Sequence, residues 1–144
     1  MLAAMKPLIA GAEPCFLVGD FNTASHLDYA DFPWPSSLVC LEAGLVDSYR
    51  ELHPANRKYP GSFASDDPGI TWTPKPAEEP EDVFDRIDFI YYSKGDGARP
   101  LSSAELDERN SVQPWPSDHR AVLSTFALRG PQPSYKPGNA TVPR

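Results

Sequence analysis

The sequence predicts an α/β fold, and three observations support this prediction. Residues 15–18 form an apolar run between Pro14 and Gly19, which is typical of a short buried strand. Residues 34–44 carry a proline in the first turn and a glycine at the end, which is typical of a helix. The chain has 144 residues, of which 40% are apolar and 23% charged, and this suits one folded domain.

The remaining elements follow from local patterns in chain order. An N-terminal helix that Pro7 interrupts is predicted to end near Gly11. A new element starts at residues 45–49, directly after the second helix, and a helical turn follows it. Seventeen prolines favour long loops between short elements. Strands are predicted where short segments are apolar, β-branched or aromatic: 15–18, 70–73, 86–92, 99–106 and 121–128.

Composition limits the classes of protein to which the chain can belong. Residues 1–129 are predicted to form one structured unit, and the proline-rich residues 130–144 a disordered tail. No apolar run approaches the roughly 20 residues of a membrane span, and the N-terminus lacks a signal-peptide pattern. A soluble chain is therefore predicted, with its compartment and oligomeric state left open. The net charge of −7 argues against high-affinity binding of nucleic acid. Cys15 and Cys40 are interpreted as buried thiols, although a disulfide remains open.

The segment Gly19-Asp20-Phe21-Asn22 is the first candidate site. Glycine lets the chain turn after the predicted strand, so Asp20 and Asn22 are expected on the loop at its carboxyl end. Open α/β sheets commonly place their functional groups there. A simple turn explains the same residue types, so this motif alone decides nothing.

Two later segments add a carboxylate and a histidine. Asp88 lies on the predicted strand 86–92, where a buried carboxylate is costly unless it is paired. Asp118 and His119 precede the last strand, behind a Pro-Trp-Pro segment. Asp118 offers an oxygen ligand suited to Mg²⁺ or Mn²⁺, and His119 can donate to a phosphoryl oxygen. Asp88 can accept a hydrogen bond from the other ring nitrogen of His119.

Three motifs occurring in this order resemble the endonuclease/exonuclease/phosphatase superfamily. The residues that carry the resemblance are Gly19-Asp20-Phe21-Asn22, Arg86-Ile87-Asp88-Phe89-Ile90 and Ser117-Asp118-His119-Arg120. Ile70-Thr71-Trp72 is also similar to a family segment. The resemblance implies a four-layer sandwich of two packed mixed sheets, and Mg²⁺- or Mn²⁺-dependent hydrolysis of a phosphoester by in-line attack of water.

The resemblance also implies roles for individual residues. The catalytic residues would be Asp20, Asn22, Asp88, Asp118 and His119. The metal ligands would be Asp118, Asp20 and Asn22. The substrate phosphate would contact Asn22 and His119.

The resemblance covers only the C-terminal half of the family domain. The earlier half of family members carries an Asn and a metal-binding Glu, and no counterpart precedes Asp20 here. A missing N-terminal half is therefore expected, whether the chain is a fragment, a mis-started gene model or a decayed copy. Little activity is expected from these residues alone.

Two alternatives to a metal-dependent phosphoesterase follow from the residues. The first is a non-catalytic remnant or binding module that keeps the fold half and its motifs. The second, a Ser/His/Asp hydrolase that uses residues 117–119, fails because adjacent side chains do not readily form a relay. The substrate class stays open among nucleic acid, inositol phosphate and phospholipid head group.

Overall fold

A computed structural model of the chain describes residues 2–29, 32–54, 63–74, 82–107, 111–114 and 116–130. The described part contains helices and strands in the mixed order expected of an α/β fold. The helices are α1 (Leu2–Ile9), α2 (Pro35–Glu42) and α3 (Ser48–Leu52). The strands are β1 (Phe16–Asp20), β2 (Leu45–Asp47), β3 (Asp88–Ser93), β4 (Ala98–Leu106) and β5 (Ala121–Leu128).

The first sheet has β3 at its centre, with β1 and β2 paired antiparallel on either side. One face of this sheet is covered by α1 and α2. Leu17, Phe89 and Tyr91 point to that side and form a buried cluster with Ile9 of α1 and Cys40 of α2. Side chains alternate along a strand, so the neighbours of Leu17 on β1 point to the opposite face. The helices therefore bury one face of the sheet and leave the other for the site.

The second sheet pairs β4 with β5, again antiparallel. It contacts the first sheet through Phe126 of β5. The Phe126 ring centroid lies 4.9 Å from that of Phe16 and 5.4 Å from that of Tyr92. The Ser124 hydroxyl lies 2.9 Å from the Ser48 hydroxyl and so links β5 to α3. Ring packing thus holds the two sheets together, and the hydroxyl contact attaches β5 to α3.

A buried ionic network ties the loop after β1 to α3 and to the approach to β3. The Arg86 guanidinium donates to Asp28 at 2.8 Å and to Asp47 at 2.7 Å. Arg50 also pairs with Asp28, with a shortest distance of 2.5 Å. Burial alone would lower the pKa of Arg86, but Asp47 and Asp28 raise it above its ordinary value. A charged Arg86 therefore belongs to the folded core.

Asp47 also caps α3. Its carboxylate accepts from the backbone N–H of Tyr49 at 3.0 Å and of Arg50 at 3.3 Å. These donors have no partner within the first turn of a helix, so the cap stabilises α3 where β2 ends. Asp47 thus serves the helix and the buried arginine together.

The predicted α/β class is confirmed, and so are the helix that starts at Pro35 and strands at the two C-terminal segments. The predicted strand over 70–73 is wrong, because only Trp72 forms isolated bridges, to Asp85 and His119. The described strand pairs are all antiparallel, and the four-layer sandwich stays a prediction.

The remaining expectations have mixed outcomes. Cys15 and Cys40 are both free thiols. The helices that the structure describes include none with the length and apolar character needed to cross a membrane. The predicted disordered tail over 130–144 lies outside the described residues except for Gly130.

Candidate active site

Asp20 is the last residue of β1 rather than a loop residue, which corrects the sequence-based expectation. It pairs in register with Asp88, the first residue of β3. Residues that pair directly across an antiparallel ladder project to the same face of the sheet. The two carboxylates therefore meet at one end of the sheet, on the face opposite the helices.

The loop after Asp20 is held by its own backbone and by the core. The Phe21 N–H donates to the Ile87 carbonyl at 2.9 Å, and the Phe21 ring packs edge-on against Phe89 at 5.3 Å. Asn22 follows with φ of 49°, a left-handed conformation that asparagine tolerates better than most residues. Its N–H donates to Asp20 Oδ1 at 2.7 Å. Asn22 therefore stays beside Asp20.

Thr71 fixes the backbone that enters β3. Its side chain is fully buried, and its hydroxyl accepts from the N–H groups of Ile87 and Asp88, each at 3.1 Å. The Thr71 carbonyl accepts from the Arg120 N–H at 2.8 Å. One short segment thus joins the start of β3 to the segment that carries His119.

The same segment positions the histidine itself. Thr73 donates through both its N–H, at 3.1 Å, and its hydroxyl, at 2.7 Å, to the Asp118 carbonyl. The ring centroids of Trp72 and His119 lie 5.0 Å apart. His119 Nδ1 then lies 2.7 Å from Asp88 Oδ2, a short contact between a ring nitrogen and a carboxylate. The expected Asp88–His119 contact is therefore present.

Three of the five predicted site residues form a compact ligand cluster. One ligand atom from each of Asp20, Asp88 and His119 lies within 4.8 Å of the other two. Asn22 adjoins this cluster through its bond to Asp20 and lines the same cleft as His119. Asp118 is exposed and is not a member of the cluster. Its role as a metal ligand stays a prediction.

The donor set fits a divalent cation. Carboxylate oxygens suit Mg²⁺ and Mn²⁺, and an imidazole nitrogen is more readily accepted by Mn²⁺ than by Mg²⁺. Ligands about 2.1 Å from one ion stand roughly 3–4 Å from each other, so a modest contraction of the cluster would bring its atoms onto one ion. The exposed side chain of Asp20 leaves room for water or substrate on that ion.

Asp85 is a site residue that sequence reasoning did not single out. Its carboxylate accepts from the Arg86 N–H at 2.8 Å and from the Tyr29 hydroxyl. Burial raises the pKa of Asp85 to about 6, although these hydrogen bonds favour the charged form. The sequence feature that could have pointed to Asp85 is its position three residues before Asp88. Nothing in the sequence alone distinguished it from the acids of the preceding loop.

Comparison with known proteins shows the family to which the chain belongs. The model of the Endonuclease/Exonuclease/phosphatase family matches residues 1–119, and the chain belongs to that family. Proteins of this family generally hydrolyse phosphoester bonds and typically depend on a divalent metal.

A curated relative extends the comparison. A Caenorhabditis elegans protein described as "Uncharacterized protein F14F9.5" is 32% identical over 138 aligned positions. The alignment covers 80% of this chain and 41% of that protein. The chain therefore spans about two fifths of the length of the curated relative that it matches. The search of solved structures found no match.

Proposed function

We propose that this chain carries active-site residues of a Mg²⁺- or Mn²⁺-dependent phosphoesterase that cleaves its substrate by in-line attack of water. The observation that carries the proposal is the cluster of Asp20, Asp88 and His119, whose ligand atoms lie within 4.8 Å of one another at the shared end of β1 and β3. A histidine held by a carboxylate beside a metal-ligand set is well suited to phosphoryl transfer.

Each side chain has a proposed role in that reaction. Asp20 orients the attacking water and takes its proton as the new oxygen–phosphorus bond forms. Asn22 donates from its amide to a phosphate oxygen. Asp88 holds the His119 ring through Nδ1, and the other ring nitrogen, Nε2, donates to a phosphoryl oxygen. The bond to the alcohol oxygen breaks, and that oxygen is protonated by solvent.

The metal ligands proposed are Asp20, Asn22 and Asp118, with Asp88 close enough to join them. When bound, a divalent cation stabilises the negative charge that develops on the phosphoryl and leaving oxygens. We further propose that an upstream half of the domain supplies one more metal-binding carboxylate. The 144 residues alone are therefore expected to hydrolyse phosphoesters slowly.

The test is hydrolysis of bis(4-nitrophenyl) phosphate, a diester, and of 4-nitrophenyl phosphate, a monoester. We expect release of nitrophenol that requires Mg²⁺ or Mn²⁺, stops with EDTA and rises in a longer gene product that supplies the upstream carboxylate. Asp96→Asn is the control for the loss of a carboxylate from the cluster, because Asp96 is exposed and forms its ion pair with Arg129. Absence of metal-dependent hydrolysis in both this chain and the longer gene product would favour the alternative, a non-catalytic binding module.

A further inference from the structure

A cleft of about 370 Å³ opens directly beside the candidate active site. Asn22 and His119 form the end of the cleft that adjoins the ligand cluster. The rest of its wall includes aromatic, aliphatic and acidic side chains, among them Trp34, Trp72, Asp82, Val83, Asp85 and Ile87. A group attached to a phosphate at His119 would therefore extend into this cleft.

Tryptophan rings supply the aromatic part of the cleft. Trp72 packs against His119, with 5.0 Å between their ring centroids. Trp34 is braced by Phe32 and Tyr29, whose ring centroids lie 4.7 Å and 5.6 Å from its own. The Trp34 Nε1–H is buried and has no hydrogen-bond partner among the described residues. The rings are thus held in place before any ligand enters.

The charge of the cleft is negative. Among its described lining residues Asp82 and Asp85 are acidic, and His119 is the single side chain able to carry positive charge. Asp20 and Asp88 add two carboxylates at the adjoining cluster. The Tyr29 hydroxyl donates to Asp85, and burial raises the pKa of Asp85 to about 6. A cation entering the cleft would replace solvent beside this partly desolvated carboxylate and favour its charged form.

We infer that the cleft binds a positively charged ammonium group on the alcohol part of the phosphoester substrate. Tryptophan faces attract ammonium groups through their π electrons, and nearby carboxylates add direct charge attraction. The same carboxylates repel additional phosphates, so a polyphosphorylated ring or a nucleic-acid strand fits this wall less well. The substrate class is an amino-alcohol phosphoester. The link to catalysis rests on the proposed function, but ammonium binding is measurable without it.

The test compares choline with 3,3-dimethyl-1-butanol, an uncharged molecule of the same shape. Each is titrated into the chain in EDTA, and binding is followed by calorimetry and tryptophan fluorescence. We expect choline to bind about tenfold more tightly than the neutral alcohol. Asp85→Asn is expected to reduce that preference to about threefold or less, because it removes the buried charge and keeps an oxygen acceptor.

Matched variants keep the proposal falsifiable. Asp82→Asn changes an exposed lining residue and should reduce the preference without affecting folding, whereas Asp96→Asn removes a distant carboxylate and should leave it unchanged. Equal binding of the two molecules overturns the proposal, as does a preference that both cleft variants retain. Choline binding without metal-dependent hydrolysis, in this chain and in the longer gene product, would instead contradict the proposed function alone.

An activity arm identifies the source of the ammonium group. Glycerophosphocholine represents a soluble ester, and vesicles of phosphatidylcholine represent a lipid surface. Cleavage of either one faster than of a diester without an ammonium group supports the proposal and names the source. Faster cleavage of the uncharged diester contradicts it.

Discussion

His119→Ala is expected to lower phosphoester hydrolysis by about 10²–10⁴-fold, or to the level of the protein-free control. Asp88 Oδ2 lies 2.7 Å from Nδ1 of this imidazole. Thr73 helps to position it by donating to the backbone carbonyl of Asp118, and Trp72 packs against the ring. No other described side chain of the cluster can donate a proton from a ring nitrogen. Removing it eliminates a contact to the phosphoryl oxygens that strengthens as charge develops there.

His53→Ala is the matched control for this variant. His53 is exposed, packs on Tyr49 and has its Nε2 2.8 Å from the Ser103 carbonyl, at the end of α3. The same loss of an imidazole there should leave the hydrolysis rate within about twofold. Initial rates with Mg²⁺ and Mn²⁺ measure both variants. Comparable activity in His119→Ala and the unaltered chain would remove His119 from the proposed mechanism.

Arg86→Met is expected to lower the free energy of unfolding by about 3–5 kcal/mol. The substitution keeps much of the side-chain volume but removes the ion pair of buried Asp47 and leaves buried Asp28 with Arg50 alone. Both carboxylates have almost no exposure, at 0% and 3%. The Arg86 guanidinium carbon also lies 4.5 Å from the centroid of the Phe89 ring, so the substitution removes a cation–π contact in the core as well.

Urea unfolding followed by circular dichroism measures this loss. Arg129→Met removes another ion-paired arginine, but its side chain is 63% exposed and its contact with Asp96 is 3.2 Å long. We expect that control to change stability by less than about 1 kcal/mol. An Arg86→Met protein as stable as the Arg129→Met protein would mean that the buried network contributes little.

The sequence motifs predicted the composition of the site better than its geometry. Gly19-Asp20-Phe21-Asn22 indicated a carboxylate and an amide at a strand end, and the structure places Asp20 and Asn22 there. The strand was predicted to end two residues too early, at Val18 instead of Asp20, because a glycine was taken as its end. Gly19 in fact pairs with Phe89 and lets the ladder continue to Asp20.

Local sequence patterns do not reveal contacts between segments that are far apart in the sequence. Asp28 and Arg86 are 58 positions apart in the sequence, yet both belong to one buried ionic network. Thr71 looked like part of a strand, but its hydroxyl instead joins the start of β3 to the His119 segment. Such partners are set by tertiary packing, whereas periodicity reports only which way a side chain points.

The most direct test of a divalent cation bound beside Asp20, Asp88 and His119 is the effect of Mn²⁺ on the histidine NMR signals. The chain has three histidines, so His26 and His53 are internal references for His119. Paramagnetic broadening falls steeply with distance from the ion. We expect substoichiometric Mn²⁺ to broaden the His119 ring signals first, and Asp20→Asn to weaken that effect. Equal broadening of all three histidines, or a His119 signal that stays sharp, would contradict the site.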